Sequence, residues 1–123
     1  MNSQQLLEWL LWNEGYKPKS YLDSLGNQTI GIGFLLSDPT THGKSSLIRN
    51  TLDGLLGVGT YNQIYGAAGR ALSPSEIFKL YNYSIQQALN TVNSLYPNFA
   101  NFSNAQQIVL IDLAFNMGYT KLY

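Results

Sequence analysis

The stretch that decides the fold is Glu14-Gly15-Tyr16-Lys17-Pro18-Lys19-Ser20-Tyr21-Leu22-Asp23-Ser24-Leu25-Gly26-Asn27-Gln28-Thr29-Ile30-Gly31-Ile32-Gly33. The apolar spacing changes character across it. Before it, Leu6, Leu7, Leu10 and Leu11 recur at helical intervals over residues 3–13. Asn2 stands as a cap with Gln5 three residues on, and Gly15 sits where a helix stops. Within the stretch, Gly26-Asn27 reads as a turn. Gly31 and Gly33 then alternate with Ile30, Ile32 and Phe34, the pattern of small antiparallel strands. The spacing predicts a helix followed by a sheet over about residues 20–36.

Downstream the period returns to helical. Residues 44–56 carry Leu47, Ile48, Leu52, Leu55 and Leu56 and stop at Gly57. Residues 57–72 hold several glycines and no period, so they read as loop. Ser73-Pro74-Ser75-Glu76 combines a cap, a first-turn proline and a capping glutamate, and opens a long helix over about 74–95 before Pro97. Ser103 with Gln106 opens the last helix, which is expected to close at Gly118. The fold class is α+β in a single domain over 1–123. It comprises a first lobe of about 14–72, a linking helix, and a helical lobe of 97–123 joined by helix 3–13. The last helix is apolar on nearly every side, at Ile108, Val109, Leu110, Ile111, Leu113, Ala114 and Phe115. That predicts burial all round, with further chain or a partner protein covering residues 103–117.

Composition narrows the function. The 123 residues contain no cysteine and one histidine, His42, which excludes a disulfide framework, a thiolate metal site and a cysteine nucleophile. Seven basic residues balance seven acidic ones, so the basic excess that marks nucleic-acid binding is missing. Charged residues make up 11% of the chain, less than half the usual share of about 25%. The apolar run 6–12 is broken by Glu8, and no signal peptide or membrane span is expected. No cofactor is implied, and His42 in its polar loop has no assigned role.

Any acid/base chemistry must therefore use Glu8, Glu14, Asp23, Asp38, Asp53, Glu76 or Asp112. Glu76 is a capping residue by position. Glu8 and Asp53 fall on polar helix faces and read as solvated, Asp38 before Pro39 as a turn residue, and Asp112 as a helix residue with a polar neighbour. Glu14 and Asp23 differ from these. A helix C-terminus disfavours the ionised form of Glu14, and Trp9, Trp12 and Tyr16 are expected to desolvate it, as a general acid needs. Asp23 sits among Ser20, Ser24, Asn27 and Thr29, whose hydroxyl and amide groups can donate to a carboxylate. Two carboxyls in contrasting environments suit glycoside hydrolysis. Spacing alone leaves two ordinary surface acids as the alternative.

The same run resembles the active-site segment of the phage-type lysozymes, glycoside hydrolase family 24. The matching features are Glu-Gly, a Tyr two residues before an Asp, and Thr-Ile-Gly-x-Gly. A second match, Phe115-Asn116-Met117-Gly118, is similar to the family's Phe-x-Met-Gly and follows the long helix as it does there. The resemblance implies a lysozyme-like fold and a muramidase cleaving the β-1,4 bond between N-acetylmuramic acid and N-acetylglucosamine in bacterial peptidoglycan. It implies Glu14 as general acid, Asp23 as the residue that orients the attacking water, Thr29 as a holder of that water, and inversion at the anomeric carbon. The resemblance also implies that Leu35 and Phe115 line the saccharide cleft; Tyr21, two residues before Asp23 on the same strand face, and Asn116 are further expected substrate contacts. The expected setting is a bacterial host cytoplasm, with action on the cell wall or from a phage tail.

Two departures accompany the match. Phe34 stands where the family has His, and the family domain continues with further helices past Met-Gly, whereas this sequence ends at Tyr123. Two other readings follow. One is a lysozyme-derived structural or glycan-binding module with little or no turnover. The other is a lytic transglycosylase, which would use one Glu and would not need Asp23 or Thr29.

Overall fold

The computed structural model describes the backbone of residues 1–121 and the side chains of residues 1–116. The fold is α+β, with helices surrounding a small antiparallel sheet in the sequence. The chain divides into two compact units, one of residues 14–81 and one of residues 1–13 with 82–123.

In the unit of residues 14–81, Gly15 at φ +76° ends the first helix, and the chain turns into strand β1 (Lys17–Leu22). β2 (Gln28–Gly31) and β3 (Phe34–Leu35) complete a sheet in the order β1-β2-β3. The sheet thus starts at Lys17 rather than at residue 20. β1 is an edge strand, which is why Pro18 is tolerated there. Gly31 and Gly33 lie at φ +66° and +67°, so Gly31 ends β2 and Gly33 lies in the β2–β3 turn rather than in one continuous alternating strand. Helix α2 (Ser46–Leu56) is capped by Ser45, whose hydroxyl accepts from the Ile48 N–H, and it stops at Gly57 as predicted.

Residues 57–72 are not all loop. A short helix, α3 (Thr60–Ile64), lies within them. Asp53 creates it by accepting N–H bonds from Gly59 (3.2 Å) and Tyr61 (2.9 Å), so this carboxylate is a cap, not a merely solvated face residue. The core of this unit includes Ile30, Ile32, Leu36, Leu52, Tyr61, Ile64, Leu72 and Ile77. The Tyr61 hydroxyl is satisfied by donating to the Leu36 carbonyl and accepting from the Ser45 N–H.

In the other unit, helix α1 (Ser3–Glu14) begins at Asn2, whose Oδ1 accepts the Gln5 N–H at 3.0 Å. Its last residue, Glu14, already belongs to the first unit. Helix α4 (Pro74–Leu95) begins in the unit of residues 14–81 and belongs to this one from Asn82 on; it opens with the predicted capping box, Glu76 N–H on the Ser73 hydroxyl and Ser73 N–H on the Glu76 carboxylate. Ser103 and Gln106 exchange the same pair of bonds at the start of helix α5 (Asn104–Lys121). α5 continues through Gly118, where a stop was expected, since glycine in a helix interior weakens it by only about 1 kcal/mol. Nor is α5 buried all round: Ile111 and Ala114 are buried, but Val109 and Leu113 are 58% and 53% exposed. A one-turn 3-10 helix (Phe99–Asn101) precedes it, held by the buried Gln107 donating to the Phe99 carbonyl at 2.9 Å. No helix among the described residues is long and apolar enough to cross a membrane.

Candidate active site

Glu14, the last residue of α1, is half-buried. Its side chain lies over Gly33 so closely that a Cβ there would stand 2.6 Å from Oε2 and 3.2 Å from the Glu14 Cβ. Gly33 is therefore glycine for two reasons: its φ of +67°, and the carboxyl resting on its backbone. Gly31 is glycine for its φ of +66° alone, since a Cβ there would meet Ile77 at an ordinary contact distance of 3.4 Å. The rings expected to desolvate Glu14 are themselves open to solvent. Trp9 and Tyr16 are exposed and Trp12 is 86% exposed, while the Trp9 indole N–H donates to Asp112 at 3.0 Å.

Asp23 closes the β1–β2 connection. Its Oδ1 accepts two backbone N–H bonds, from Leu25 and Asn27, each 2.9 Å. The donors are thus the main-chain amides of Leu25 and Asn27 rather than the hydroxyl and amide side chains expected around it, because the side-chain oxygen folds back over its own turn. Ser20 donates instead to Gln28. Thr29 is almost fully buried, and its hydroxyl donates to the Asn27 carbonyl at 3.0 Å. Asn27 consequently links the two residues.

Strand register assembles the remainder. Tyr21 pairs with Thr29 across β1 and β2, and Thr29 pairs with Leu35 across β2 and β3, so the three form one row on one face of the sheet. The Tyr21 phenol is pushed above its ordinary value, first by burial and then by the Glu14 and Asp23 carboxylates. The Lys17 ammonium stands 6.0 Å from the centre of the same ring.

Five of the seven residues singled out from the sequence, Glu14, Tyr21, Asp23, Thr29 and Leu35, thus fall in one compact unit. Phe115 and Asn116 lie on α5 in the other, where the Asn116 amide donates to the Asp112 carboxylate at 2.7 Å. Sequence reasoning missed Gly33 as the seat of Glu14 and Asn27 as the junction of Asp23 and Thr29. The Gly-x-Gly pattern was a signal for the first; for the second, Asn27 reads as a turn residue near Asp23, but nothing local signals its bond to Thr29. Among the described residues no group of three or more His, Cys, Asp or Glu side chains could hold a metal ion. In comparison with known proteins, the chain matches no family model and no curated protein.

Proposed function

We propose that the protein is a peptidoglycan hydrolase, a muramidase acting on the β-1,4 bond between N-acetylmuramic acid and N-acetylglucosamine. The observation that supports this reading is the strand register that sets Tyr21, Thr29 and Leu35 in one row, within the unit that also holds Glu14 and Asp23. Glu14 has a carboxyl fixed against a glycine at a helix end, the position of a proton donor to a leaving oxygen. Asp23 has Oδ1 occupied by two N–H groups, and among the described residues no hydrogen bond goes to Oδ2. That leaves Oδ2 as the oxygen available to a water molecule.

In this mechanism Glu14 protonates the glycosidic oxygen as the C–O bond breaks. Asp23 Oδ2 accepts a proton from the water that attacks the opposite face of the sugar, giving an inverted product. Thr29 donates inward, so it can assist only as an acceptor. In this reading Tyr21 and Leu35, which share its row across the sheet, contact the saccharide.

A second reading, a glycan-binding module without turnover, draws support from the exposed Trp12 and from the buried, internally bonded Thr29. One experiment separates the two. Purified protein is added to a suspension of peptidoglycan beside Glu14→Gln, and released reducing ends are counted. Hydrolysis by the parent and a loss of about 10²- to 10⁴-fold in the variant supports the muramidase. Binding without hydrolysis by either supports the module.

A further inference from the structure

We propose that His42 is a positioning residue for this site, because its ring holds Asn27 and Asn27 holds the turn that fixes both Asp23 and Thr29. The catalytic part of the proposal rests on the muramidase reading; the mechanical part does not.

Asn27 is 5% exposed and uses every backbone group on the site. Its N–H donates to Asp23 Oδ1 at 2.9 Å, and its carbonyl accepts from the Asp23 N–H at 2.9 Å and from the Thr29 hydroxyl at 3.0 Å. A shift of Asn27 therefore moves both side chains together. The Asn27 side chain has one hydrogen-bond partner among the described residues, His42 Nδ1, 2.9 Å from its Oδ1. With the proton on Nδ1, the ring donates to that oxygen.

The loop carrying His42 is built for this reach. His42 lies at φ +60°, the left-handed region, where it is the one non-glycine residue among those described. Its N–H donates to the Asp38 carbonyl at 2.8 Å, and Asp38 N–H closes the loop on the Gly43 carbonyl at 2.8 Å. The Asp38 side chain caps the Thr40 and Thr41 amides. The base of the loop is fastened to the sheet at Gln28, whose N–H donates to the Ser37 hydroxyl at 2.7 Å. Glycine or asparagine would sit more easily at this φ. What histidine adds over glycine is a ring nitrogen within hydrogen-bond distance of Asn27.

The test uses His42→Gly and His42→Asn in the full chain. His42→Gly relaxes the backbone and removes the ring; His42→Asn keeps an amide in place of Nδ1–H and tolerates the same φ. We expect His42→Gly to keep its thermal midpoint, while exchange of the Leu25 and Asn27 amide protons accelerates at least about tenfold and α4 amides are unchanged. On peptidoglycan, kcat falls about 10- to 100-fold with KM little altered, and His42→Asn restores part of both effects. Unchanged exchange at Leu25 and Asn27 in His42→Gly overturns the proposal whether or not the parent shows turnover. Faster exchange with an unchanged kcat overturns the catalytic part. A parent with no hydrolysis defeats the muramidase reading alone, since the exchange data still decide whether His42 holds the turn.

Discussion

At the scale of single residues, Gly33 is where backbone geometry and chemistry meet. Its φ of +67° costs an L side chain roughly 1–2 kcal/mol, and its missing Cβ is the space the Glu14 carboxyl occupies. Gly33→Ala should therefore impair turnover more than folding: a loss of at least about 10²-fold with a fall of several degrees in thermal midpoint. Gly59→Ala is the control. Gly59 lies at φ +90° with nothing within 4 Å, so it carries comparable backbone strain without displacing the carboxyl. It should lower the midpoint similarly and leave hydrolysis intact. Equal activity in Gly33→Ala and the parent would show that Glu14 does not need this seat. The residue pattern Gly-x-Gly was legible in the sequence; the partner of each glycine was not. Ile77 and Glu14 reach those positions by folding, across separations that no local period encodes.

At the scale of elements, capping chemistry explains what the sequence revealed. Asn2, Ser73 and Ser103 cap the helices the sequence pattern starts with them, because the interaction joins a side chain to an N–H three residues on; Ser45 caps α2 in the same way, though no cap is read for that helix from the sequence. α3 escaped detection for the complementary reason. Its amides are held by Asp53 from the preceding helix, six and eight residues away, and five residues cannot show a period. The α4 cap yields a pH prediction. The Arg70 guanidinium, bonded to both Glu76 oxygens at 3.1 Å, and then the Ser73 N–H hold the Glu76 carboxyl down from 4.5 to about 2. The folded state thus binds this proton less tightly than the unfolded chain. The stabilisation is complete above pH 4.5, diminishes as pH falls below that value, and is largely gone near pH 2. Arg70 is partly exposed, so the magnitude is about 1 kcal/mol. Glu76→Gln should melt below the parent at pH 7, with the gap closing as pH falls towards 2. A gap that stays constant between pH 7 and 2 would contradict this account.

At the scale of the whole molecule, the 11% charged content leaves 38 Asn, Gln, Ser and Thr residues to carry most of the polar work, and the structure spends them on caps, turns and the Asp23–Asn27–His42 chain. Low charge also removes the sequence contrast that separates a buried helix face from a wet one, which is why α5 reads as apolar all round. The structure divides it: Ile111 is fully buried, whereas Leu113, two positions on, is 53% exposed and shares a face with Val109. This division is directly measurable. Ile111→Ala should cost about 2–5 kcal/mol, the range for truncating a large buried aliphatic side chain. Leu113→Gln and Val109→Gln should each change stability by no more than about 0.5 kcal/mol, as surface substitutions do. Denaturant unfolding of the three variants at two protein concentrations distinguishes the possibilities. If Leu113→Gln costs more than about 2 kcal/mol and the loss grows with parent concentration, a second copy covers this face. If the cost is near zero at both concentrations, the exposed face is wet in the isolated chain, and the stability of α5 rests on Ile111 and Ala114.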